Sequence, residues 1–373
     1  MTDPRFDRPA RAVVKVGSSS LRGDHGGLDR DLVEDLVAQL AEVQRGGTQV
    51  VLVSSGAVAA GIGPLGLGRR PADLPGLQAA ASVGQGVLMH TYQACFAGHG
   101  LACGQVLLTP DDVVDRARYL NARHTFDRLL GLGAVPVVNE NDTVATDELR
   151  FGDNDRLAAL VASMLGAALL VLLSDVDGLL ASTGVGSPGA PLDRVDDPAG
   201  LELVVDATPG SDIGRGGITS KLEAARIARF SAAHTVIANA RRPRVVPDVV
   251  AGRAAGTWFP PSPRRPSRRK LWIAFAKIPR GRVVVDHGAV VALTQHGTSL
   301  LAAGVVATEG RFSAGDAVEV VDPDGGVVAR GLVAYDAADL DRLRGRSTAD
   351  LADEHGPGYA RAAIHRDSLV VLT

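Results

Sequence analysis

Ala134-Val135-Pro136-Val137-Val138 runs into Asn139-Glu140-Asn141-Asp142, and Gly152-Asp153-Asn154-Asp155 runs into Arg156-Leu157-Ala158-Ala159-Leu160-Val161-Ala162. The first apolar run has the length and β-branched content of a short buried strand. The last has the Ala/Leu composition of a helix. Between them, acids and amides crowd a loop. In open α/β sheets, ligands bind in the crevice at the carboxyl ends of the strands. Carboxylates and carboxamides gathered there suit a small polar substrate beside a metal–phosphate group. The plainer alternative is a solvated loop in which Asn154 only caps the helix that follows.

Working outward, the same strand-then-loop pattern repeats. Ala12-Val13-Val14-Lys15-Val16 is a strand that enters the small-residue turn Gly17-Ser18-Ser19-Ser20. Backbone N–H groups in such a turn can meet phosphate oxygens. Leu32, Val33, Leu36, Val37, Leu40 and Val43 recur at helical spacing, and Gly46-Gly47 stops that helix. Val50–Val53 is the next strand, completing a βαβ unit. It ends in Ser54-Ser55-Gly56-Ala57-Val58-Ala59-Ala60-Gly61, where small side chains admit a ligand close to the backbone. Further on, the pattern predicts a helix over 77–90, a strand over 105–108 and a helix over 118–130 with Leu120, Phe126, Leu129 and Leu130 on its apolar face. The apolar stretch from Leu157 to Leu173 reads as a helix that breaks at Gly166, followed by a strand over 169–173, rather than as a membrane span. Ser174-Asp175 stands at that strand's end. Residues 181–214 read as irregular or partly strand. Gly214-Arg215-Gly216-Gly217-Ile218-Thr219-Ser220-Lys221 reads as a Gly-rich loop opening a helix over 222–229, a phosphate-cradling arrangement that is neither a Walker A loop nor GxGxxG. Val236-Ile237-Ala238 is another strand. The alternation predicts an α/β domain with a largely parallel sheet.

Composition is consistent with that. A chain of 373 residues holds about two domains. Its 46% hydrophobic and 4% aromatic residues predict a core of Val, Leu and Ala, and a net charge of −3 carries no bulk attraction to nucleic acid. Cys95 and Cys103 form neither a disulfide framework nor a metal pattern, which fits a reducing, cytoplasmic setting. The N-terminus has no apolar segment of the signal-peptide kind. Only four lysines, Lys15, Lys221, Lys270 and Lys277, stand against 35 arginines. In a chain that otherwise uses Arg, a retained Lys marks a place where a compact ammonium fits and a planar fork does not.

After Pro260-Pro261-Ser262-Pro263-Arg264-Arg265-Pro266-Ser267-Arg268-Arg269-Lys270 the texture changes. That run reads as a solvated tether, although its cations could touch nucleic acid. Beyond it, Val-rich runs at 282–285, 317–321 and 327–333 predict a small β-rich domain. The expected division is a tail over 1–11, a catalytic domain over 12–258, a linker over 259–275 and the β-rich domain over 276–373.

In order and spacing, six pieces resemble the amino-acid kinase family, and within it the members that phosphorylate glutamate. They are Val14-Lys15-Val16-Gly17-Ser18-Ser19, Ser54 to Gly61, Asn139 to Asp142, Gly152 to Asp155, Ser174-Asp175 with Gly178-Leu179, and Gly216-Gly217-Ile218-Thr219-Ser220-Lys221. The C-terminal part resembles a PUA domain at Ser299-Leu300-Leu301-Ala302-Ala303-Gly304 and His365-Arg366-Asp367.

The resemblance implies a three-layer αβα sandwich with a mainly parallel sheet, plus the small PUA-like domain. The implied activity is transfer of the ATP γ-phosphoryl group to the side-chain carboxylate of L-glutamate, the first step toward proline. A carboxylate is already ionised at neutral pH, so the chemistry needs positioning and charge stabilisation rather than a strong base. By the same carry-over, Lys15 and Lys221 flank the phosphates and Asp155 holds both ammonium groups. Ser55, Asp142 and Asn154 bind glutamate, with Asp142 on its α-ammonium. Ser174, Asp175, Arg215, Gly216, Gly217, Ile218, Thr219, Ser220 and Lys221, with Lys15, line the nucleotide. Mg²⁺ arrives on the ATP phosphates, and no residue is assigned as a metal ligand. Proline as a feedback inhibitor, a homo-oligomer and an RNA contact through the PUA-like domain are implied as partners. A membrane is not. Arg215, Ile218 and Ala240 stand where the family usually has Thr, Met and Gly. Two other readings remain at this stage: a phosphotransferase of the same family with a different acceptor, and an RNA-binding protein on a degenerate kinase scaffold. The part after 271 is not notably basic, which weighs against the second.

Overall fold

A computed structural model describes residues 4–23, 27–144, 154–182, 188–196, 198, 212–262, 268–277, 279–356, 359 and 361–372. Gly152, Asp153 and the Arg215 side chain, singled out above, lie outside the described part. The chain divides into two compact units, Met1–Arg265 and Pro266–Thr373.

In chain order the first unit contains β1 (Arg11–Val16), α1 (Ser18–Leu21), α2 (Arg30–Arg45), β2 (Gln49–Ser54), α3 (Ala57–Ile62), α4 (Leu74–Gly98), β3 (Cys103–Leu108), α5 (Pro110–Val114) and α6 (Arg116–Gly131). It continues with β4 (Val135–Glu140), α7 (Asn154–Leu165), β5 (Leu169–Ser174), β6 (Leu180–Ser182), β7 (Pro188–Pro191), α8 (Asp212–Phe230), β8 (His234–Asn239), α9 (Val245–Val250) and β9 (Thr257–Phe259). Seven strands form one sheet in the order β3-β4-β2-β1-β5-β8-β9. All its pairings are parallel except β8 with β9. The central strands are nearly continuous apolar runs because helices cover both faces.

Strand alternation sorts the side chains. Ala12, Val14 and Val16 join Val50, Leu52, Leu169 and Val171 in a core shared with α2, α4 and α9. Val13 and Lys15 therefore point to the opposite face, where α7 packs on β1. The α2 stripe read from the sequence, Leu32 through Val43, is buried, and the Asp29 side chain caps the helix by accepting from Leu32 N at 3.0 Å. α7 ends at Leu165, and Gly166 follows with φ +62°. A helix break there, not a membrane span, explains the long apolar stretch, and no described helix is long and apolar enough to cross a membrane. Cys95 and Cys103 are free thiols, and burial pushes Cys103 up to about 11.

Three expectations change. α4 covers Leu74–Gly98 rather than 77–90: Pro75 sits in the first turn, where proline is tolerated, and neither Gly nor Pro occurs between Gly86 and Gly98. α8 starts at Asp212, so the Gly-rich run from Gly214 to Lys221 forms the first turns of the helix itself instead of a loop before it. The tract read as linker is partly folded. Phe259 is fully buried in β9, and Arg268–Leu271 (α10) leads into a π-helical turn, Trp272–Ala276, that belongs to the second unit. Ile273 and Ala274 pack there on Val370 with Leu332 and Leu372, and Arg330 Nη1 donates to Ala274 O at 2.9 Å. Apolar burial outweighs the tether-like charge of the residues just before it.

The second unit continues with β10 (Gly281–Val285), α11 (His287–His296), β11 (Val305–Gly310), β12 (Ala317–Val321), β13 (Val327–Leu332), α12 (Ala337–Leu343), α13 (Thr348–His355) and β14 (Leu369–Val371). Its sheet order is β11-β10-β12-β13-β14, over a core that includes Val283, Val318, Val320, Leu340 and Ile364. The two motifs that carried the PUA resemblance meet: Leu300 and Ile364 exchange backbone hydrogen bonds, and Arg366 N donates to Ser299 Oγ at 2.9 Å.

At the start of β8, His234 stacks on Phe6 with ring centroids 4.3 Å apart, and its Nδ1 accepts from Trp258 Nε1 at 3.1 Å. That bond requires an unprotonated Nδ1, and burial lowers the His234 pKa. The folded state thus binds fewer protons than the unfolded chain here. The contribution is complete above the ordinary histidine value of about 6.5 and is lost as pH falls through the lower folded value. The melting-temperature gap between the native chain and H234Q should be constant above pH 7 and narrow as pH drops from about 6.5 toward 5. A gap that stays constant over that range contradicts the assignment.

Candidate active site

Because β1, β2, β4, β5 and β8 run parallel, their carboxyl ends and following loops open on one edge. β1 passes to β2 on one side, whereas β5 and β8 lie on the other, so the order reverses beside β1. Crevices form at such reversals. Lys15 sits one residue before the end of β1, in register with Val53 of β2 and Leu172 of β5.

α7 brings Asp155 to that point. Lys15 Nζ lies 2.5 Å from Asp155 Oδ1, and Lys221 Nζ, from α8, lies 3.0 Å from Oδ2. Asp155 is 0% exposed, Lys15 3% and Lys221 12%. Ser220 Oγ lies 3.1 Å from both Asp155 Oδ2 and Gly217 O, its one proton shared between them, and Lys221 Nζ donates to Gly217 O at 3.3 Å. Three elements from distant parts of the chain therefore meet on one carboxylate. A buried carboxylate is costly unless paired, and the first turn of a helix favours a negative charge. Two ammonium groups thus share one buried carboxylate. The Arg156–Glu223 ion pair, 3.1 Å, ties α7 to α8 beside it.

Next to the charged trio lies a neutral amide cluster. Asn154, 8% exposed, donates from Nδ2 to Ser55 Oγ at 2.9 Å, Asn139 Oδ1 at 2.9 Å and Ser54 O at 3.2 Å. A capping side chain accepts from backbone N–H groups. Asn154 is the first residue of α7, and its amide nitrogen is spent on the β2 and β4 ends, a role beyond helix capping. Ser54 is fixed in turn by Tyr92 OH, 2.8 Å from its Oγ, and burial drives the Tyr92 pKa well above its usual value. Asp142 lies in the turn after β4, partly buried.

The glycines of α3 and α4 set the height of the Ser55 loop. A Cβ on Gly84 would stand 1.8 Å from Ala57 O, and one on Gly61 1.9 Å from Ala80 O, so the two helices cross with backbones in contact. At the β5 end, Ser174 Oγ donates to Asp175 Oδ1 at 3.1 Å, and Ala240 N donates to Ser174 O at 2.8 Å. That backbone bond does not depend on whether residue 240 is Gly or Ala.

The structure thus brings Lys15, Lys221 and Asp155 together, and Ser55 with Asn154. It places Ser174 and Asp175 at the end of β5, and Gly217 through Lys221 on α8, with Ile218 and Ser220 half-buried and Thr219 exposed. It adds residues that sequence reading did not single out: Tyr92, Gly84 and Gln85, whose Oε1 accepts from Asn139 Nδ2 at 2.8 Å. Polar Gln in the Ala-rich helix is the signal that could have pointed to Gln85. Among the described residues no group of three or more His, Cys, Asp or Glu is arranged to hold a metal ion.

Removing the Asp155 carboxylate leaves two buried ammonium groups face to face. D155A should lose about 3–5 kcal/mol of stability, the cost of stranding a buried charge, and added sulfate should recover part of the loss. Urea unfolding measures both, and a loss under about 1 kcal/mol would show that the carboxylate does not hold the site.

Comparison with known proteins agrees with this geometry. The amino acid kinase family model matches residues 10–239, and the PUA domain model matches residues 281–354. A glutamate 5-kinase of Streptomyces avermitilis is 52% identical over 368 residues, spanning 97% of this chain and 96% of its own. One from Salinispora arenicola is 53% identical over 369 residues, spanning 99% of each. Among solved structures, N-acetylglutamate synthase from Neisseria gonorrhoeae, complexed with coenzyme A and N-acetyl-glutamate, matches with TM-score 0.50 at 15% identity, over 68% of this chain and 60% of its own, a likeness of fold. A buried Lys–Asp–Lys centre on a doubly covered parallel sheet, with relatives this similar over their whole length, places the chain in the amino acid kinase family, in its glutamate 5-kinase group, with a C-terminal PUA domain.

Proposed function

We propose that this chain transfers the γ-phosphoryl group of ATP to the side-chain carboxylate of L-glutamate, giving L-glutamyl 5-phosphate and ADP, the first step of proline biosynthesis. The observation that carries the reading is the Asp155 carboxylate gripped by Lys15 and Lys221 at the crevice beside β1.

A carboxylate oxygen of glutamate attacks the γ-phosphorus while the bond to the β,γ-bridging oxygen breaks, and ADP departs with that electron pair. The nucleophile is ionised at neutral pH, so no general base is required. Charge accumulates on the transferred group and on the departing oxygen. Lys15 and Lys221 are fixed in place before the reaction, which spares reorganisation in the transition state. Asp155 acts through them: it sets their positions and does not touch the phosphoryl group. Ser55 and Asn154 offer hydrogen bonds to the glutamate carboxylates, and Asp142 pairs with its α-ammonium. Ser174, Asp175 and the α8 residues Gly217 to Lys221 line the nucleotide. Because α8 is helical through this run, they contact it from a helix face rather than a looped cradle.

Mg²⁺ neutralises the ATP phosphates when bound. Among the described residues Asp155 is taken up by two lysines and no acidic cluster is set to hold the ion, so it would arrive as a passenger of the nucleotide. Proline inhibition, oligomer formation and RNA contact through the PUA domain belong to the family resemblance and enter no step above.

Purified protein with MgATP, hydroxylamine and one acceptor at a time tests the reading. Glutamate should give hydroxamate in step with ADP. Aspartate, N-acetylglutamate and uridine monophosphate should not. ADP without hydroxamate, or with another acceptor only, contradicts it. K221A should retain its fold and lose turnover by about a hundredfold or more, on the scale of a lost preorganised charge. K15R should also be impaired, because a planar fork does not replace a compact ammonium beside a buried carboxylate. Near-native turnover in K221A would remove Lys221 from the mechanism.

A further inference from the structure

The amide cluster does not end at Asn154. Asn139, 3% exposed, is held at both ends of its amide. Its Oδ1 accepts from Asn154 Nδ2 at 2.9 Å and from Glu140 N at 2.9 Å, and its Nδ2 donates to Gln85 Oε1 at 2.8 Å. Gln85 belongs to α4, and its hydrogen bond goes to Asn139 rather than to Asp155, Lys15 or Lys221. An amide nitrogen only donates and an amide oxygen only accepts. The Glu140 N–H, which can only donate, fixes which way round the Asn139 amide lies, and the Gln85 acceptor holds its other end in that orientation. Turned over, Asn139 would set its nitrogen against the nitrogen of Asn154 and would lose the bond from Glu140 N.

Gln85 is itself positioned without slack. It follows Gly84, whose missing Cβ lets α4 rest against Ala57 O and Gly61 N of α3. α3 begins directly after Ser55 and Gly56. A single rigid helix crossing thus fixes the spacing between Ser55 and Gln85, the two ends of the chain Ser55–Asn154–Asn139–Gln85. We infer that Gln85 is a positioning residue of the amino-acid subsite. It orients Asn139, and through Asn139 the Asn154 side chain, so that glutamate meets a set of hydrogen-bonding groups already arranged. The inference rests on the glutamate-kinase reading above.

The test uses the full-length chain and the hydroxamate assay, with KM for glutamate, KM for ATP, kcat and melting temperature measured for Q85M, Q85A, N139A and Q85M/N139A. Q85M keeps the length of the side chain without its acceptor, and Q85A keeps the helix with its best former. Both should raise KM for glutamate about five- to tenfold, the size of one lost neutral hydrogen bond, while KM for ATP and the melting temperature stay near native. In the N139A background Q85M should add nothing, since residues that act in series are not additive. A glutamate KM within about twofold of native in both single variants, or the same further rise on top of N139A, overturns the inference. So does a parallel loss in ATP affinity and melting temperature, the pattern of a purely structural residue. A native chain that makes no glutamyl hydroxamate refutes the kinase reading itself, and the role of Gln85 falls with it.

Discussion

The site depends on the Asp155 carboxylate, wholly buried and shared between two ammonium groups. One carboxylate cannot neutralise two cations, and burial forbids leaving it unpaired. The carboxylate therefore draws β1, α7 and α8 together. Stability and function draw on the same atoms. On the proposed reading, the pairing that makes the convergence tolerable also holds Lys15 and Lys221 where charge on a transferring phosphoryl group would develop.

Around that centre, polar groups are graded by charge. The Lys15, Asp155 and Lys221 trio is ionic. The neighbouring series Ser55, Asn154, Asn139 and Gln85 is neutral and joined by hydrogen bonds. On the proposed reading, neutral amides would recognise carboxylates by geometry without pulling the γ-carboxylate into a tight ion pair, which would blunt it as a nucleophile. The backbone contact of α3 and α4 at Gly61 and Gly84 keeps that series at fixed length. The second unit stands on its own core, centred on Val283, Val318 and Val320.

Much of the fold was legible because its strands are long apolar runs bounded by clear stops. Gly46-Gly47 and Gly166 end α2 and α7 where the pattern placed them. The retained lysines were also legible: in a chain with 35 arginines, Lys15 and Lys221 are the two that meet one buried carboxylate. Other features were hidden for physical reasons. Glycines and hydroxyls from Gly214 to Ser220 look like a loop, but packing of α8 on α7 and side-chain bonds to Gly217 O accompany a helix there. The charges at Arg268, Arg269 and Lys270 look like a tether, although the apolar residues after them are buried against Val370. The Gln85–Asn139 bond joins residues 54 positions apart, and local pattern carries no trace of such a pairing.

The central claim is that Asp155 holds Lys15 and Lys221 ready for charge that develops only during transfer. The most direct measurement compares two affinities in the native chain and in D155N: MgADP alone, and MgADP with aluminium fluoride and glutamate, which imitates the transferring phosphoryl group. The account predicts that D155N weakens the second complex by about a hundredfold or more while the first changes by no more than about threefold, the signature of transition-state rather than uniform binding. Equal weakening of both complexes, or of neither, would contradict it.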